Sequence, residues 1–236
     1  MLKVFIGYDP HEPIAYHVCA NSIINNCSEP VAITPLALPN LNKLYSETHK
    51  GREGYPPSNQ FIFSRFLVPQ LCDFQGLALF IDGDMLVKCD ISELFNNFNM
   101  HNAVEVVKHD YKTKFPTKYL GAKNEDYPRK NWSSVIMFNC GNFQNKKLTA
   151  DYVSNADGGH LHRFEWLEDN RIGELDKEWN WLTEEYEHND NAKLLHYTIG
   201  TPCFKDFIHK DHSKEWWEEY NKSIYPIDGG IRKAII

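Results

Sequence analysis

Two aspartates separated by one glycine are the residues of this sequence best placed to do chemistry. Asp82, Gly83 and Asp84 directly follow an apolar run of strand length, residues 77–81, and a second apolar run begins at Met85. In open α/β sheets, ligands bind beyond the carboxyl ends of the strands. Two carboxylates at such an edge could share an oxygen-seeking cation, Mg²⁺ or Mn²⁺, with a substrate phosphate. The alternative is a plain turn, because Asp-Gly is a common hairpin signal.

The composition limits the classes of partner. The chain has 236 residues and a net charge of −7, with no basic block, so nucleic acid is not an expected partner. No apolar run reaches the ~20 residues that a membrane-spanning helix needs. Six cysteines lie scattered without a CxxC pair. This usage predicts free thiols in a reduced, cytoplasmic compartment and argues against a cysteine-ligated metal.

The elements around the Asp-Gly-Asp segment alternate between strand and helix. This alternation predicts an α/β fold with a mainly parallel central sheet flanked by helices, built as one domain over 1–236. The first half, about 1–110, is expected to bind a nucleotide, and about 111–236 to form the acceptor side with a C-terminal helix. Strands are predicted at 4–7, 31–34, 77–81, 103–107, 134–139 and 194–197, and helices at 15–23, 61–71, over most of 148–190, and at 215–220.

Three local features accompany these elements. Asp9 could cap the first helix, with Pro10 in its first turn and Glu12 at the reciprocal capping position. Pro69 is expected to bend the helix at 61–71. Residues 39–57 are polar and contain two glycines and two adjacent prolines, which predicts a surface loop; whether it closes over a ligand is left open.

Five segments in order carry a family resemblance: FSRFLVP at 63–69, LFIDGDMLV at 79–87, DISELF at 90–95, SVIMFN at 134–139 and HYTIGTPCF at 196–204. Together they resemble the DxD block and the later motifs of GT-A glycosyltransferases, notably the retaining glycogenin and lipopolysaccharide-galactosyltransferase group. The resemblance covers about residues 1–205. The blocks VFIGYD, YPRKNWSS and LHRFEWL are also similar to those of uncharacterised bacterial and phage sugar transferases.

The resemblance implies a GT-A (nucleotide-diphospho-sugar transferase) fold and a metal-dependent glycosyltransferase. It implies transfer of a sugar from a nucleotide diphosphate donor, a UDP-sugar, to an unknown acceptor, with retention of configuration. Asp82, Asp84 and His196 would bind the metal, Mn²⁺ or Mg²⁺, and an imidazole among the ligands favours Mn²⁺. The alternative for His196 is an ordinary core or surface histidine.

The resemblance also implies catalytic residues. Arg65 matches the arginine that reaches the nucleotide sugar in the family, although it could instead cover the core with its aliphatic stem. Asp84 would act through the metal. Glu165 lies where the family has an acidic-amide pair near the donor sugar and is the candidate to replace it.

The donor-binding residues are predicted from the motifs and from strand ends at the same sheet edge. They are Tyr8, Asp9, Arg65, Asp82, Gly83, Lys108, Asn131, Ser133 and Gly200. Packing for Tyr8 and helix capping for Asp9 are the alternatives, and Tyr16 is a weaker stacking candidate. Lys108, with His109 and Asp110, could equally belong to a charged surface loop.

The sequence departs from the family at three motif positions. Trp132 stands where the family has asparagine, Thr201 replaces the lysine before the C-terminal proline, and Phe204 replaces a tryptophan. The donor sugar and the stereochemical outcome are therefore not set by these motifs. His160 and His162 form an H-x-H pair, which we interpret as part of a helix rather than as a metal site.

Two rival functions are kept. A phosphohydrolase of the haloacid-dehalogenase type also places an aspartate after a buried strand, but it requires threonine where this chain has Leu86. A non-catalytic protein that binds nucleotide or carbohydrate on the same fold is the other rival, and the six tryptophans could serve it by stacking on sugars.

Overall fold

The computed structural model describes residues 1–46 and 59–224, together with the backbone of two short strands at 227–228 and 231–232. Most of the predicted loop at 39–57 lies outside the described residues. Its first part contains a short 3₁₀ helix, Leu38–Leu41. Among the described residues, no helix is long and apolar enough to cross a membrane, and the six cysteines are free thiols.

A six-stranded sheet in the order β2-β1-β3-β6-β5-β7 forms the centre of the molecule. Its strands are β1 Leu2–Gly7, β2 Val31–Leu36, β3 Leu77–Ile81, β5 Val104–Val106, β6 Val135–Asn139 and β7 Ile172–Glu174. β1 pairs in parallel with β2 and β3, and β5 with β7, whereas β6 runs antiparallel to both β3 and β5. The predicted mainly parallel α/β fold is therefore confirmed.

The buried strands are continuous apolar runs because both faces of the sheet are covered. Side chains alternate between the faces along each strand. Phe80 and Phe138 therefore belong to a hydrophobic cluster on one face, and Leu79, Ile81 and Val135 belong to a second cluster on the other face. At about 25 cal/mol per Å² of apolar surface, burial on both faces makes these central strands a main source of stability.

The remaining strands form two smaller sheets. β4 Met85–Val87, β9 Leu194–His196 and β8 Trp181–Leu182 form the order β4-β9-β8. β10 Ile227–Asp228 pairs antiparallel with β11 Ile231–Arg232. Because β3 and β4 belong to different sheets, the Asp-Gly-Asp segment between them is not a hairpin turn.

The helices are α1 Pro13–Asn26, α2 Val68–Leu71, α3 Ser92–Asn96, α4 Ala150–Asn155, α5 Gly158–His162 and α6 Ser213–Ile224. Two predictions were wrong here. Residues 148–190 are not mostly helical, since they contain β7, β8 and short 3₁₀ turns. The predicted helix at 61–71 is a 3₁₀ helix, Ser64–Leu67, followed by α2, with Pro69 in the first turn of α2 rather than at a bend.

The predicted cap of the first helix was also wrong. α1 begins at Pro13, and Glu12 takes the N-cap position without a side-chain capping bond. A residue before proline is disfavoured in the helical region, and Glu12 is accordingly non-helical, with φ −141° and ψ 55°. Asp9 instead accepts hydrogen bonds at Oδ1 from the backbone N–H of His11 (2.9 Å) and at Oδ2 from that of Gln60 (3.3 Å).

Candidate active site

The Asp-Gly-Asp segment leaves the carboxyl end of β3 and connects the central sheet to the smaller one. The backbone N–H of Asp82 donates to the carbonyl of Ser134, 3.0 Å away, because antiparallel β6 begins where β3 ends. A Cβ atom on Gly83 would lie 2.3 Å from the carbonyl oxygen of Gly7. Glycine is therefore required at this position, because any larger residue would push the two carboxylates away from the sheet edge.

The smaller sheet brings His196 to these carboxylates. β9 pairs with β4 so that His196 lies opposite Met85, and the backbone N–H of Tyr197 donates to the carbonyl of Asp84 at 3.0 Å. His196 Nε2 lies 3.4 Å from Asp84 Oδ1, and both side chains are almost completely buried. One donor atom from each of Asp82, Asp84 and His196 lies within 4.8 Å of the others.

Asn180 fixes the orientation of His196. Its Nδ2 donates to Ser134 Oγ at 2.8 Å, so its Oδ1 is turned to His196 Nδ1 at 3.0 Å. An amide oxygen only accepts, so Nδ1 carries the proton and Nε2 presents a lone pair towards Asp84. This is the arrangement by which a supporting residue prepares a histidine for metal binding. The donor set of two carboxylates and one imidazole fits Mn²⁺.

A buried arginine and a half-buried lysine lie beside the carboxylates. Arg65 NH1 is 2.7 Å from Asp82 Oδ1 and donates to the carbonyl of Ser133 at 2.8 Å. The guanidinium also lies over the rings of Phe61 and Phe80, 5.3 and 4.9 Å from their centroids. Lys118 Nζ donates to Thr198 Oγ1 at 3.0 Å. Both cations line the cavity that contains the carboxylates.

Burial and mutual repulsion move the carboxyl pKa values apart. Burial raises the pKa of Asp82 to about 6 despite the opposing charge of Arg65. Burial also disfavours charge on Asp84, but His196 and Lys118 outweigh it and hold the pKa of Asp84 below its ordinary value. Burial lowers the pKa of Lys118, opposed by Asp84 and Asp82. Closely spaced carboxyls that differ in this way are typical of functional sites.

Glu12 is a third carboxyl near this group. It is buried and accepts a hydrogen bond from Thr201 Oγ1 at 3.0 Å. Burial, followed by the charge of Asp84, raises the pKa of Glu12 to about 8. A carboxyl with this pKa holds its proton at neutral pH, so it adds no third negative charge to the site.

The cavity has a volume of about 430 Å³. Both predicted halves of the chain line it: Arg65, Asp82 and Asp84 come from the first, and His196 and Lys118 from the second. Six predicted site residues line this cavity, and they are Arg65, Asp82, Asp84, Asn131, Ser133 and His196. Its size and its mixture of apolar and charged walls are those of a small-molecule site.

Besides Gly83, which lies between the two aspartates, five other predicted residues are not among the described residues that line the cavity. Glu165 is exposed and lies 3.3 Å from His160 Nδ1. Lys108 Nζ lies over the ring of Trp132. Tyr8 packs edge-on against Tyr16, with ring centroids 5.7 Å apart.

The remaining two of the five have structural roles. Asp9 holds the turn that precedes α1. Gly200 packs under Phe207, whose ring carbon would lie 2.6 Å from a Cβ atom at this position.

Sequence reasoning missed Lys118, Asn180 and Glu12 as site residues. Lys118 lies in an irregular segment without apolar periodicity, and Asn180 lies between two tryptophans, so neither carries a local signal. His162, predicted only as a helical residue, ends α5 and lines the cavity, where its Nδ1 is 2.8 Å from Ser133 Oγ. His160 Nε2 is 2.7 Å from the hydroxyl of Tyr152.

The fold is that of the GT-A glycosyltransferases, as the sequence motifs predicted. The bifunctional glycosyltransferase WbbM matches 93% of this chain with a TM-score of 0.65 and 16% identity. The galactosyltransferase LgtC, in complex with donor and acceptor sugar analogs, matches 94% with a TM-score of 0.57 and 13% identity. The chain spans 96% of LgtC but only 49% of WbbM and 61% of GlyE of Streptococcus pneumoniae TIGR4, which has a TM-score of 0.59.

Sequence comparison gives a nearer relative. The chain is 42% identical over 228 residues to Protein CDI of Arabidopsis thaliana, a match that covers 93% of this chain and 87% of that protein. The chain therefore belongs to the family of Protein CDI. No family model matches the chain.

Proposed function

We propose that this protein is a metal-dependent glycosyltransferase that transfers a sugar from a nucleotide diphosphate donor, a UDP-sugar, to an acceptor. The observation that carries the proposal is the convergence of Asp82, Asp84 and His196 on a cavity that also holds Arg65 and Lys118. The acidic cluster fits a divalent cation, and the two basic side chains fit an anion. A nucleotide diphosphate with its metal ion satisfies both.

In this proposal the metal ligands are Asp82, Asp84 and His196, and the metal is Mn²⁺. When bound, the cation supplies Lewis-acid stabilisation of the charge on the departing diphosphate. Arg65 orients Asp82 through their 2.7 Å contact and presents its planar guanidinium to the donor. The family's C-terminal motif has a lysine where this chain has Thr201. In this proposal Lys118 supplies the positive charge that is missing there.

The donor lies along Asn131 and Ser133, which line the same cavity. Asn131 Nδ2 donates to the hydroxyl of Tyr111 at 2.8 Å, which holds the side chain in place. Retention of configuration is part of the proposal: the acceptor attacks the sugar carbon on the same face from which the nucleotide diphosphate departs. Glu165 is not part of it, because it is exposed and lies outside the described lining.

The deciding experiment is a thermal-shift screen of nucleotide diphosphates and nucleotide sugars, each with Mn²⁺ and with chelator. A ligand that binds the native state raises the unfolding midpoint by mass action. We expect the unfolding midpoint to rise selectively with UDP and the rise to disappear with chelator. We also expect the enzyme to release UDP from the UDP-sugar that is its donor. No shift with any nucleotide contradicts the proposal, and binding without turnover favours the non-catalytic rival.

A further inference from the structure

A second cluster of histidine and carboxylate side chains lies at the start of α6. It consists of His188, Asp211 and His212, and none of the three belongs to the described lining of the catalytic cavity. His188 Nδ1 lies 2.6 Å from Asp211 Oδ1, and His212 Nε2 lies 3.6 Å from Asp211 Oδ2. One donor atom from each residue lies within 4.8 Å of the others.

Two polar atoms in this cluster lack a hydrogen-bond partner among the described residues. His212 Nε2 and Asp211 Oδ2 are both buried and make no hydrogen bond to any part of the chain that the structure describes. The His212 side chain has 0% relative exposure. A buried polar atom without a partner costs about 1–3 kcal/mol. Two such atoms facing each other therefore point to a ligand between them.

The other ring nitrogen of each histidine contacts a second carboxylate. Glu215 Oε1 lies 2.8 Å from His212 Nδ1, so this nitrogen carries the proton and Nε2 is left with its lone pair. Asp190 Oδ1 lies 3.1 Å from His188 Nε2, which leaves Nδ1 to face Asp211. Histidines that bind metals in proteins usually donate their other N–H to a carboxylate in this way.

We propose that His188, Asp211 and His212 form a second metal site, and that it binds Zn²⁺. Two imidazoles and one carboxylate suit zinc better than Mg²⁺ or Ca²⁺, which prefer oxygen ligands. Donor atoms of a tetrahedral zinc site lie about 3.3 Å apart, given Zn–N bonds of about 2.0–2.1 Å. His188 Nδ1 lies 2.6 Å from Asp211 Oδ1 and His212 Nε2 lies 3.6 Å from Asp211 Oδ2, which are values on either side of about 3.3 Å.

Small movements of His188 would complete the site. The rings of His188 and His212 are stacked, with centroids 4.4 Å apart and 17° between their planes. The side chain of His188 is 54% exposed, so its ring can turn from this stack towards a shared ion. On binding, the ion replaces the proton on His188 Nδ1, which is released to solvent.

The site would fix the start of α6 to the active-site strand. The hydroxyl of Tyr197 donates to the carbonyl of His212 at 2.9 Å, and Tyr197 directly follows the predicted metal ligand His196. Asp211 also anchors the neighbouring loop, because its backbone N–H donates to Glu184 Oε1 at 2.7 Å. Zinc bound here, with water as its fourth ligand, would therefore connect α6 to the strand that carries His196 and would be distinct from the cation of the cavity cluster.

The test uses the full chain with Asp84→Asn, which disables the cavity cluster. Chelator-treated protein is titrated with Zn²⁺ alone by calorimetry, and with Co²⁺ alone by visible absorption. We expect one equivalent of Zn²⁺ and a low-symmetry Co²⁺ spectrum. Adding His188→Ala should weaken Zn²⁺ binding by at least about 100-fold, whereas adding His209→Ala, an exposed neighbouring histidine, should leave it unchanged.

Asp211→Asn provides a nearly isosteric second variant. With chelator its unfolding midpoint should match that of the parent, and with Zn²⁺ only the parent should gain stability. Absence of a bound equivalent in the Asp84→Asn background, or equal binding by the His188→Ala variant, would overturn the proposal. Because Mn²⁺-dependent transfer by the wild-type chain is measured separately, failure here leaves the glycosyltransferase proposal standing.

Discussion

Two clusters of histidine and carboxylate side chains in this molecule have similar donor atoms and opposite surroundings. The cavity cluster, Asp82, Asp84 and His196, lies beside Arg65 and Lys118. The α6 cluster, His188, Asp211 and His212, is instead supported by the carboxylates of Asp190 and Glu215. The neighbours, more than the ligands, distinguish the two.

The difference in neighbours predicts a difference in what each cluster binds. Cations next to a metal site reduce its affinity for a bare cation, but they attract an anion that brings or shares the metal. Carboxylates behind the histidines do the opposite, because they increase the basicity of the ligands. We therefore expect the cavity cluster to bind metal together with a nucleotide diphosphate, and the α6 cluster to bind metal alone.

The largest effect that tests this difference is expected from Asp84→Asn. The change removes the charge of a proposed metal ligand, so sugar transfer and metal-dependent nucleotide binding should fall by at least about 100-fold; loss of a residue that only supports a ligand typically costs about 10- to 100-fold. Transfer rates and the Mn²⁺-dependent thermal shift measure this. Asp110→Asn, at an exposed aspartate, is the control and should behave as wild type. Unchanged transfer by the Asp84→Asn variant would remove the cavity cluster from the mechanism.

Lys118→Met tests whether the cations select the anion. A charge-assisted hydrogen bond contributes about 1.5–3 kcal/mol, so affinity for the nucleotide diphosphate should fall about 10- to 150-fold. Binding of Zn²⁺ at the α6 cluster should not change. Calorimetric titration with UDP and Mn²⁺ measures the first quantity, and Lys112→Met, at an exposed lysine, is the control. Equal UDP affinity in both variants would show that Lys118 does not contact the donor.

The sequence predicted those cavity residues that come with a pattern. Asp82 and Asp84 follow an apolar strand, and His196 lies in a recognisable motif, so topology and family resemblance were enough. Lys118 and Asn180 could not be predicted in this way. They reach the site from irregular segments whose course depends on tertiary packing, as Asn180 does through its bonds to Ser134 and His196.

The helix errors have a local physical reason. Pro13 disfavours the helical conformation at Glu12, so a helix cannot run on from a cap at Asp9, although the spacing of the capping pattern matches. In the region 148–190, aromatic and apolar residues pack against the sheet from short 3₁₀ turns and strands. Trp166 and Phe164, for example, lie in the hydrophobic cluster with Phe66. Composition alone did not distinguish this packing from helix.

Supporting residues allow a smaller, symmetrical test. Asn180→Ala removes the acceptor for His196 Nδ1 in the cavity cluster, and Glu215→Gln weakens the acceptor for His212 Nδ1 in the α6 cluster. Each change should reduce metal affinity about 10-fold at its own cluster only. Titrations with Mn²⁺ plus UDP and with Zn²⁺ alone separate the two sites. Loss at both clusters from one substitution would mean that they are coupled, and the hydrogen bond from Tyr197 to His212 is the contact that connects them.

The smallest effect concerns the protonation of one glutamate near each cluster, Glu12 near the cavity cluster and Glu215 at the α6 cluster. Burial and the charge of Asp84 raise the pKa of Glu12 from 4.5 to about 8. For Glu215, burial is outweighed by the hydrogen bond from His212, which holds the pKa below its ordinary value. Between pH 4.5 and 8 the folded chain therefore keeps a proton on Glu12 that the unfolded chain has released. The stability from this group is complete below about pH 4.5 and is lost as the pH rises through about 8.

Glu12→Gln removes this titration while keeping a side chain that can bond to Thr201. When the pH is raised from about 4.5 to about 8.5, the stability of the variant relative to wild type should increase by several kcal/mol, at most about 5 kcal/mol. Urea unfolding of both proteins at the two pH values, with chelator present, measures the difference. Glu215→Gln should not show this gain, because the pKa of Glu215 is shifted in the other direction. A constant difference between wild type and the Glu12→Gln variant would mean that Glu12 is ionised in the folded protein and adds a third negative charge near Asp82 and Asp84.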